Sequence, residues 1–316
     1  LPRTRPLAHT RSVSSGETWA GETYVHGQVR VLNGATLTIT GTVHFPAGGR
    51  LIIDPGAMVV VDGGVLTNSC EAMWDGVQVH GNYFAQQTPS NQGVLRMRGQ
   101  ARIENALTGV LLAKGSNADP LGPIIKESTG GYINATDAKF LNNRYDVVFR
   151  PFENRQDGTT TVLSNRSSFV RCSFRTLGDL NDPWLYPKDH VAMVLNRGIR
   201  FHGCDFSNAI LGSTYDLPFE QGTGIHSMNS SFIVGNDCNV ILPYGAPCPP
   251  ANTTSSAFTN LHRGILATTF DPSRTFSVSD ATFTGTNYGI RMEGIQDAAI
   301  HRNAFDRNGC SVVHQD

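Results

Sequence analysis

The stretch CEAMWDGVQVHG, residues 70–81, gathers Cys70, Glu71, Trp74, Asp75 and His80. A thiol, two carboxylates, an imidazole and a large ring are the parts from which nucleophilic and acid–base sites are made. A second concentration is DPWLYPKDH, with Asp182, Trp184, Tyr186, Lys188, Asp189 and His190 in a loop bounded by prolines. Its aromatics could stack on sugar rings, and its charged groups could hydrogen-bond hydroxyls or uronate carboxylates. The competing reading folds the rings back over the chain beneath, where most large aromatics end. Lys139, Ser173 and Asp205 form a third group, flanked by Arg171 and Arg175. Their positions before recurring apolar residues place them together on an outward face, where a solvated mixed-charge surface is the plainer explanation.

Composition narrows the frame in which these groups must work. The chain has 316 residues, 39% hydrophobic and only 16% charged, with 33 glycines and a formal charge of −1. Such a balance gives no electrostatic case for nucleic acid or an anionic membrane. No apolar run approaches the ~20 residues of a membrane span. The opening LPRTRPLAHTRS has no apolar core of the kind a signal peptide needs, which suits a trimmed chain. Of six cysteines, Cys238 and Cys248 share a Pro- and Gly-rich loop and are expected to form a surface disulfide, in keeping with an oxidising compartment. Cys172 and Cys204 each precede a Phe by two residues, in a slot held elsewhere by Ala138 and Ala281, which favours small buried hydrophobes over a disulfide or metal pair.

The elements that must position these residues are strands. Helical periodicity is nearly absent, whereas short alternating runs ending in Gly, Asn or Asp recur. Ile103 and Val110, Phe140 and Val147, Phe258 and Ile265, Phe283 and Ile290, and Phe305 and Val312 each stand seven residues apart. Asn follows the anchor by two at Asn105, Asn142, Asn208 and Asn260, suiting a left-handed turn. A Gly precedes an aliphatic at Gly109, Gly198, Gly224, Gly264 and Gly289. Phe258, Phe283 and Phe305 are separated by 25 and 22 residues, a period that signals stacked coils with inward ladders. In this grammar CEAMWDGVQVHG becomes a coil corner: Trp74 packs over the turn, Asp75 shares a slot with Thr108, Arg263 and Tyr288, Val77 and Val79 point in, and Gln78 and His80 point out.

The segment GIRMEGIQDAAIHRNAFDRNG, through Ile290, Met292, Ile295, Ile300, Phe305 and Asn308, resembles a coil of the right-handed parallel β-helix of the pectin-lyase-like superfamily. LNGATLTITGTVHFPAGGRLIIDPGAMVVVDGGVLTN followed by MWDGVQVHG is similar to β-helix modules of large secreted or surface proteins of Bacteroidota-type bacteria. The resemblance implies an all-β fold: one β-helix over residues 25–316 behind an N-terminal extension or cap at 1–24, with insertions near 115–131, 175–190 and 235–256. Loops of that kind gather on one functional face of a solenoid. Lyases of this fold use a cationic side chain on a strand face, often with calcium held by clustered acids. No such acidic cluster stands in this sequence, and calcium has no motif to support it, so no cofactor or metal is expected. The paired aspartates and Gly-His-Gly of β-helix glycoside hydrolases are missing too.

The reading is therefore a secreted or cell-surface solenoid that binds a polysaccharide or surface glycan, or mediates adhesion, without catalysis. Trp184, Tyr186, Lys188, Asp189, His190, Lys139, Asp205 and Arg171 are its candidate glycan contacts. A polysaccharide lyase or glycoside hydrolase acting on the outer strand face is the alternative. A third reading is a structural module: the chain ends just after Val312 with no capping element, which predicts a longer parent protein or self-association through the coil end.

Overall fold

The computed structural model describes residues 9–209, 217–240, 248–306 and 309–315. Among these, strands make three parallel sheets of eleven, ten and ten members, here called the first, second and third sheets. The chain visits them in turn: Thr10–Val13, Glu17–Trp19 and Glu22–Tyr24 form the first coil, and Gln28–Val31, Thr36–Ile39 and Thr42–Phe45 the second. Every coil pairs in parallel with the next, which is a parallel β-helix. The winding expected of parallel strands joined this way is right-handed. The coils begin at Thr10, inside the segment assigned to an extension. That coil buries only Val13 and Trp19 among many polar residues, too sparse a pattern to read as strand.

Alternation drives each strand. Thr36–Ile39, Thr42–Phe45 and Arg50–Ile53 all bury every second residue, so one side of the ribbon faces a single continuous core. The anchors form one ladder in the third sheet: Ile103, Phe140, Phe174, Phe206, Phe258, Phe283 and Phe305 lie directly above one another. From Phe140 onward their rings stack at 4.7–4.9 Å. That equals the spacing between strands, so backbone pairing and ring stacking are satisfied together. The matching ladder of the first sheet is Val110, Val147, Val191, Ile225, Ile265, Ile290 and Val312; all stand seven residues after their anchor except Val191 and Ile225, which longer loops set further on.

The Gly before the aliphatic has a steric cause. A Cβ at Gly264 would lie 2.6 Å from the Phe283 ring, and one at Gly289 2.7 Å from Phe305. Gly198 departs from this role, since it opens a strand of the second sheet. Asn105, Asn142 and Asn260 have φ of 60°, 52° and 55°, the left-handed turn expected of them, whereas Asn208 ends the strand Asp205–Asn208. A second left-handed corner, between the second and third sheets, is held by Asp137, Arg171, Asp280 and Arg302. Asn308 and residues 241–247 of the third insertion lie outside the described residues.

Trp74 corrects the corner reading of residues 70–81. It is fully buried, stacks on Phe45 at 4.5 Å and donates from Nε1 to the Glu104 carbonyl at 2.8 Å. A bulge at Gly76 and Val77 sets Trp74 opposite Ala106 and Gly76 opposite Thr108, one residue out of the register that simple alignment gives. Cys172 and Cys204 are free and buried, and burial pushes the Cys204 thiol well up. Cys70 and Cys310 are free and exposed. Cys238 and Cys248 are joined, with Cα atoms 5.8 Å apart, beside the short pairing of Asp237–Cys238 with Thr253–Thr254.

Candidate functional site

The outer face of the first sheet is divided by a hairpin. Lys114–Gly115 pairs antiparallel with Ile124–Ile125, and the chain between them covers an apolar patch of Leu111, Tyr145, Val148 and Ala192, against which Leu121 and Met228 pack. The sheet's polar residues are thereby left in two regions, one on each side.

On the N-terminal side lies a groove of about 590 Å³, floored by Gln28, Arg30, Arg50, Ile52 and Gln78 and walled by the hairpin. Parallel register puts Gln28 beside Arg50, and Arg30, Ile52 and Gln78 in one row. Arg30 Nε meets both Asp54 oxygens at 3.0 and 2.8 Å, and Arg50 meets Asp75 at 2.6 Å. Burial raises the Asp75 pKa against the pull of Arg50. The carboxylates lie deeper than the guanidiniums: Asp54 and Asp75 side chains are 11% and 14% exposed, Arg30 and Arg50 50% and 30%. Lys114 stands exposed on the rim, with no ion pair among the described residues. Gln78 and His80, expected to face solvent, are covered by the hairpin. The Gln78 amide nitrogen donates to the Gly115 carbonyl at 2.8 Å and to Asn117 Oδ1 at 2.6 Å, so its oxygen is the atom facing His80 Nε2 at 3.0 Å. Nε2 therefore carries the ring proton. Nδ1 lies 3.7 Å from Asp54. Burial lowers the His80 pKa to about 4. Asp54 opposes this, and Arg30, Lys114 and Arg50 reinforce it.

Beyond the hairpin, register aligns Asp189, Thr223, Arg263 and Tyr288 in one outward row, and Ala192, His226, Leu266 and Arg291 in the next. His226 Nδ1 meets Asp189 at 3.2 Å. Burial works against the charge of His226, but the Asp189 carboxylate and its hydrogen bond overcome it and raise the pKa. Arg263 Nε is buried with no hydrogen-bond partner among the described residues, and burial and Arg291 lower its pKa. Burial, with Arg263 and Arg291, also lowers the neighbouring His262 to about 4. Arg291 lies over Tyr288 at 5.4 Å and pairs with Glu293 at 2.8 Å.

The loop of residues 177–188 feeds this region from the corner of the third sheet. Trp184 is 90% exposed, so it does not fold back over the coil, and its N–H donates to Asp182 Oδ1 at 3.0 Å. Tyr186 is half-buried, hydrogen-bonded to Lys188, whose ammonium lies 3.8 Å from the ring centre. Phe219 meets Tyr186 edge-on at 5.8 Å.

The candidate glycan contacts are thus divided among four places. Trp184, Tyr186, Lys188 and Asp189 stand at the first-sheet corner. His190 is buried and turned from solvent, its Nδ1 2.6 Å from the wholly buried Asp146, which Asn143 holds at 2.8 Å. Burial raises the Asp146 pKa against His190. Lys139 and Asp205 lie in line on the third sheet, where Asp205 meets Ser173 at 3.4 Å and Arg175 at 3.5 Å. Arg171 is committed to a corner, bridging Asp137 at 2.8 Å and Asp237 at 2.5 Å, and those hydrogen bonds raise its pKa. Sequence reading missed Arg30, Arg50, Lys114, His226, Arg263, Tyr288 and Arg291. Arg263 and Tyr288 had been aligned as turn positions, whereas they open strands and point outward. Among the described residues no three His, Cys, Asp or Glu side chains converge as a metal site would require. Nor, among them, is any helix long and apolar enough to cross a membrane.

No protein-family model and no curated protein sequence matches the chain. Among solved structures it is similar to the Streptococcus pneumoniae surface protein and adhesin PfbA, at 7% identity over 92% of each chain with a TM-score of 0.32. Likeness at that level carries no functional weight.

Proposed function

We propose that the chain is a secreted or cell-surface β-helix that binds glycans through the outer face of its first sheet and does not cleave them. The observation that carries this reading is the groove, whose cations face out while their carboxylate partners lie behind. Arg30, Arg50 and Lys114 all line it, and Lys114 has no ion pair among the described residues, so the side presented to solvent is positive. Such a surface suits a polysaccharide bearing carboxylates or sulfates. The exposed Trp184, with Tyr186 and Phe219 beyond the hairpin, adds rings on which sugars stack. Polyuronate, sulfated and neutral polysaccharides in affinity gels form the test: the anionic ones should retard the chain and the neutral ones should not do so through this face. Absence of retardation by any anionic polymer would overturn the reading.

One observation favours the enzyme alternative. Asp189 and His226 stand beside Arg263, so a histidine whose pKa Asp189 raises lies next to a cation that could stabilise a developing anion. Release of ultraviolet-absorbing unsaturated ends, or of reducing sugar, abolished by His226→Ala, would establish it in place of simple binding.

A further inference from the structure

A separate site stands at the corner between the first and second sheets. Three successive coils extend loops there: residues 80–93, 113–131 and 150–167. The first and third interlock through buried amides. The Gln87 backbone N–H donates to Asn154 Oδ1 at 2.9 Å, and its side-chain oxygen accepts from the Arg166 N–H at 2.8 Å. The Gln86 N–H donates to Asp157 at 2.8 Å. Gln92, fully buried, donates to the carbonyls of Asn82 and Ala85 at 2.9 Å each. Buried polar groups satisfied this completely fix a loop in one conformation.

What the fixed loop presents is an aromatic ring. Phe84 is 79% exposed, its N–H tied to Asn82 Oδ1 at 3.1 Å. Tyr83 braces it edge-on at 5.3 Å and is itself held between Phe152 at 6.3 Å and the Lys126 ammonium at 4.5 Å. Beside Phe84 opens a cleft of about 240 Å³, lined by Tyr83, Phe84, Ala85, Glu153 and Arg155. That is smaller than the ~300–1,000 Å³ of sites for drug-sized molecules and suits a single sugar ring. Glu153 Oε2 pairs with Arg155 at 2.6 Å, and its Oε1 lies 3.6 Å from Arg197 and 4.0 Å from Arg274, so among the residues lining the cleft one carboxylate offsets one guanidinium. It offers a carboxylate acceptor beside guanidinium donors, groups that can hydrogen-bond a vicinal diol.

We propose that Phe84, Glu153 and Arg155 form a binding site for a neutral pyranose, the sugar's apolar face against Phe84 and two hydroxyls on the Glu153–Arg155 pair. A protein partner would also use an exposed Phe, but a small cleft with an ion pair beside the ring favours a sugar. The site shares no residue with the first-sheet groove and does not depend on its assignment.

The test is saturation-transfer NMR on the full chain with methyl hexopyranosides and their neutral oligomers, for wild type, Phe84→Ala and Glu153→Gln. Transfer to at least one neutral sugar is expected, strongest for protons of one ring face, with binding weakened about three- to tenfold in Phe84→Ala and also weakened in Glu153→Gln. Phe84 is exposed, so its variant should keep the wild-type fold and the wild-type retardation by anionic polysaccharides. Absence of transfer to every neutral sugar, or equal transfer in wild type and Phe84→Ala, would overturn the proposal whatever the groove binds.

Discussion

The two ends of the first sheet's outer face use the same materials to opposite effect. At the N-terminal end His80 is held neutral; at the C-terminal end His226 is held ready to be charged. Both rings are largely buried and both have an aspartate near. What separates them is geometry: Asp54 spends its two oxygens on Arg30 and stands 3.7 Å from His80, whereas Asp189 meets His226 at 3.2 Å. A carboxylate already engaged by a guanidinium cannot offset the burial of an imidazole, and one free to hydrogen-bond can. The groove is thus set as a fixed cationic surface and the far region as one whose charge follows pH.

The largest effect expected comes from removing the floor beneath the far region. Phe206 stacks between Phe174 and Phe258 and lies 6.4 Å from His190. Phe206→Ala should cost about 3–5 kcal/mol, whereas Val77→Ala, under the groove, removes less volume and should cost less. Urea denaturation of both variants checks the order, and equal losses would mean that the aromatic stack adds nothing beyond its neighbours.

Next comes acid. The His80 pKa falls from 6.5 unfolded to about 4 folded, so the unfolded chain takes up the proton first. The resulting stability is complete above pH 6.5 and is lost as pH falls towards 4, a loss of about 3 kcal/mol by linkage. His80→Asn should flatten that part of the stability–pH curve. His226 has the opposite sign. Its raised pKa stabilises the fold below the unfolded value of 6.5, and this stability is lost as pH rises through the folded pKa. Asp189→Asn should lower the His226 pKa and reverse that slope, while Asp54→Asn should leave His80 depressed; imidazole NMR titrations read both. The smallest effect is at Arg30. Arg30 is half exposed but Asp54 only 11%, so Arg30→Ala leaves a buried carboxylate without its partner and should cost about 1–2 kcal/mol while weakening anionic-glycan binding.

These contrasts mark how far the sequence could be read. The Phe ladder and the Gly–aliphatic step were legible because one repeated geometry demands one residue type: a ring above a ring, and no Cβ beside it. The second left-handed corner was not, since Asp137, Arg171, Asp280 and Arg302 share a backbone shape without sharing a side chain. Trp74 was misplaced by a one-residue bulge. His190 was read as exposed because its partner Asp146 is distant in sequence and lies in the preceding coil. The groove was invisible for a related reason. Arg30, Arg50 and Lys114 become neighbours only through coil stacking and a hairpin whose fold no repeat announces. Loops 80–93 and 150–167 escaped notice because their order comes from buried glutamines and asparagines, which in sequence resemble ordinary loop composition.

The central claim is that the first-sheet face binds anionic glycan, and its most direct measurement is the salt dependence of polyuronate affinity for wild type and an Arg30→Ala/Lys114→Ala double variant. The account predicts wild-type binding that weakens steadily with salt, and a double variant that folds normally but binds at least tenfold more weakly with a shallower salt slope. Wild-type affinity retained in the double variant, or no affinity in wild type at low salt, would contradict it.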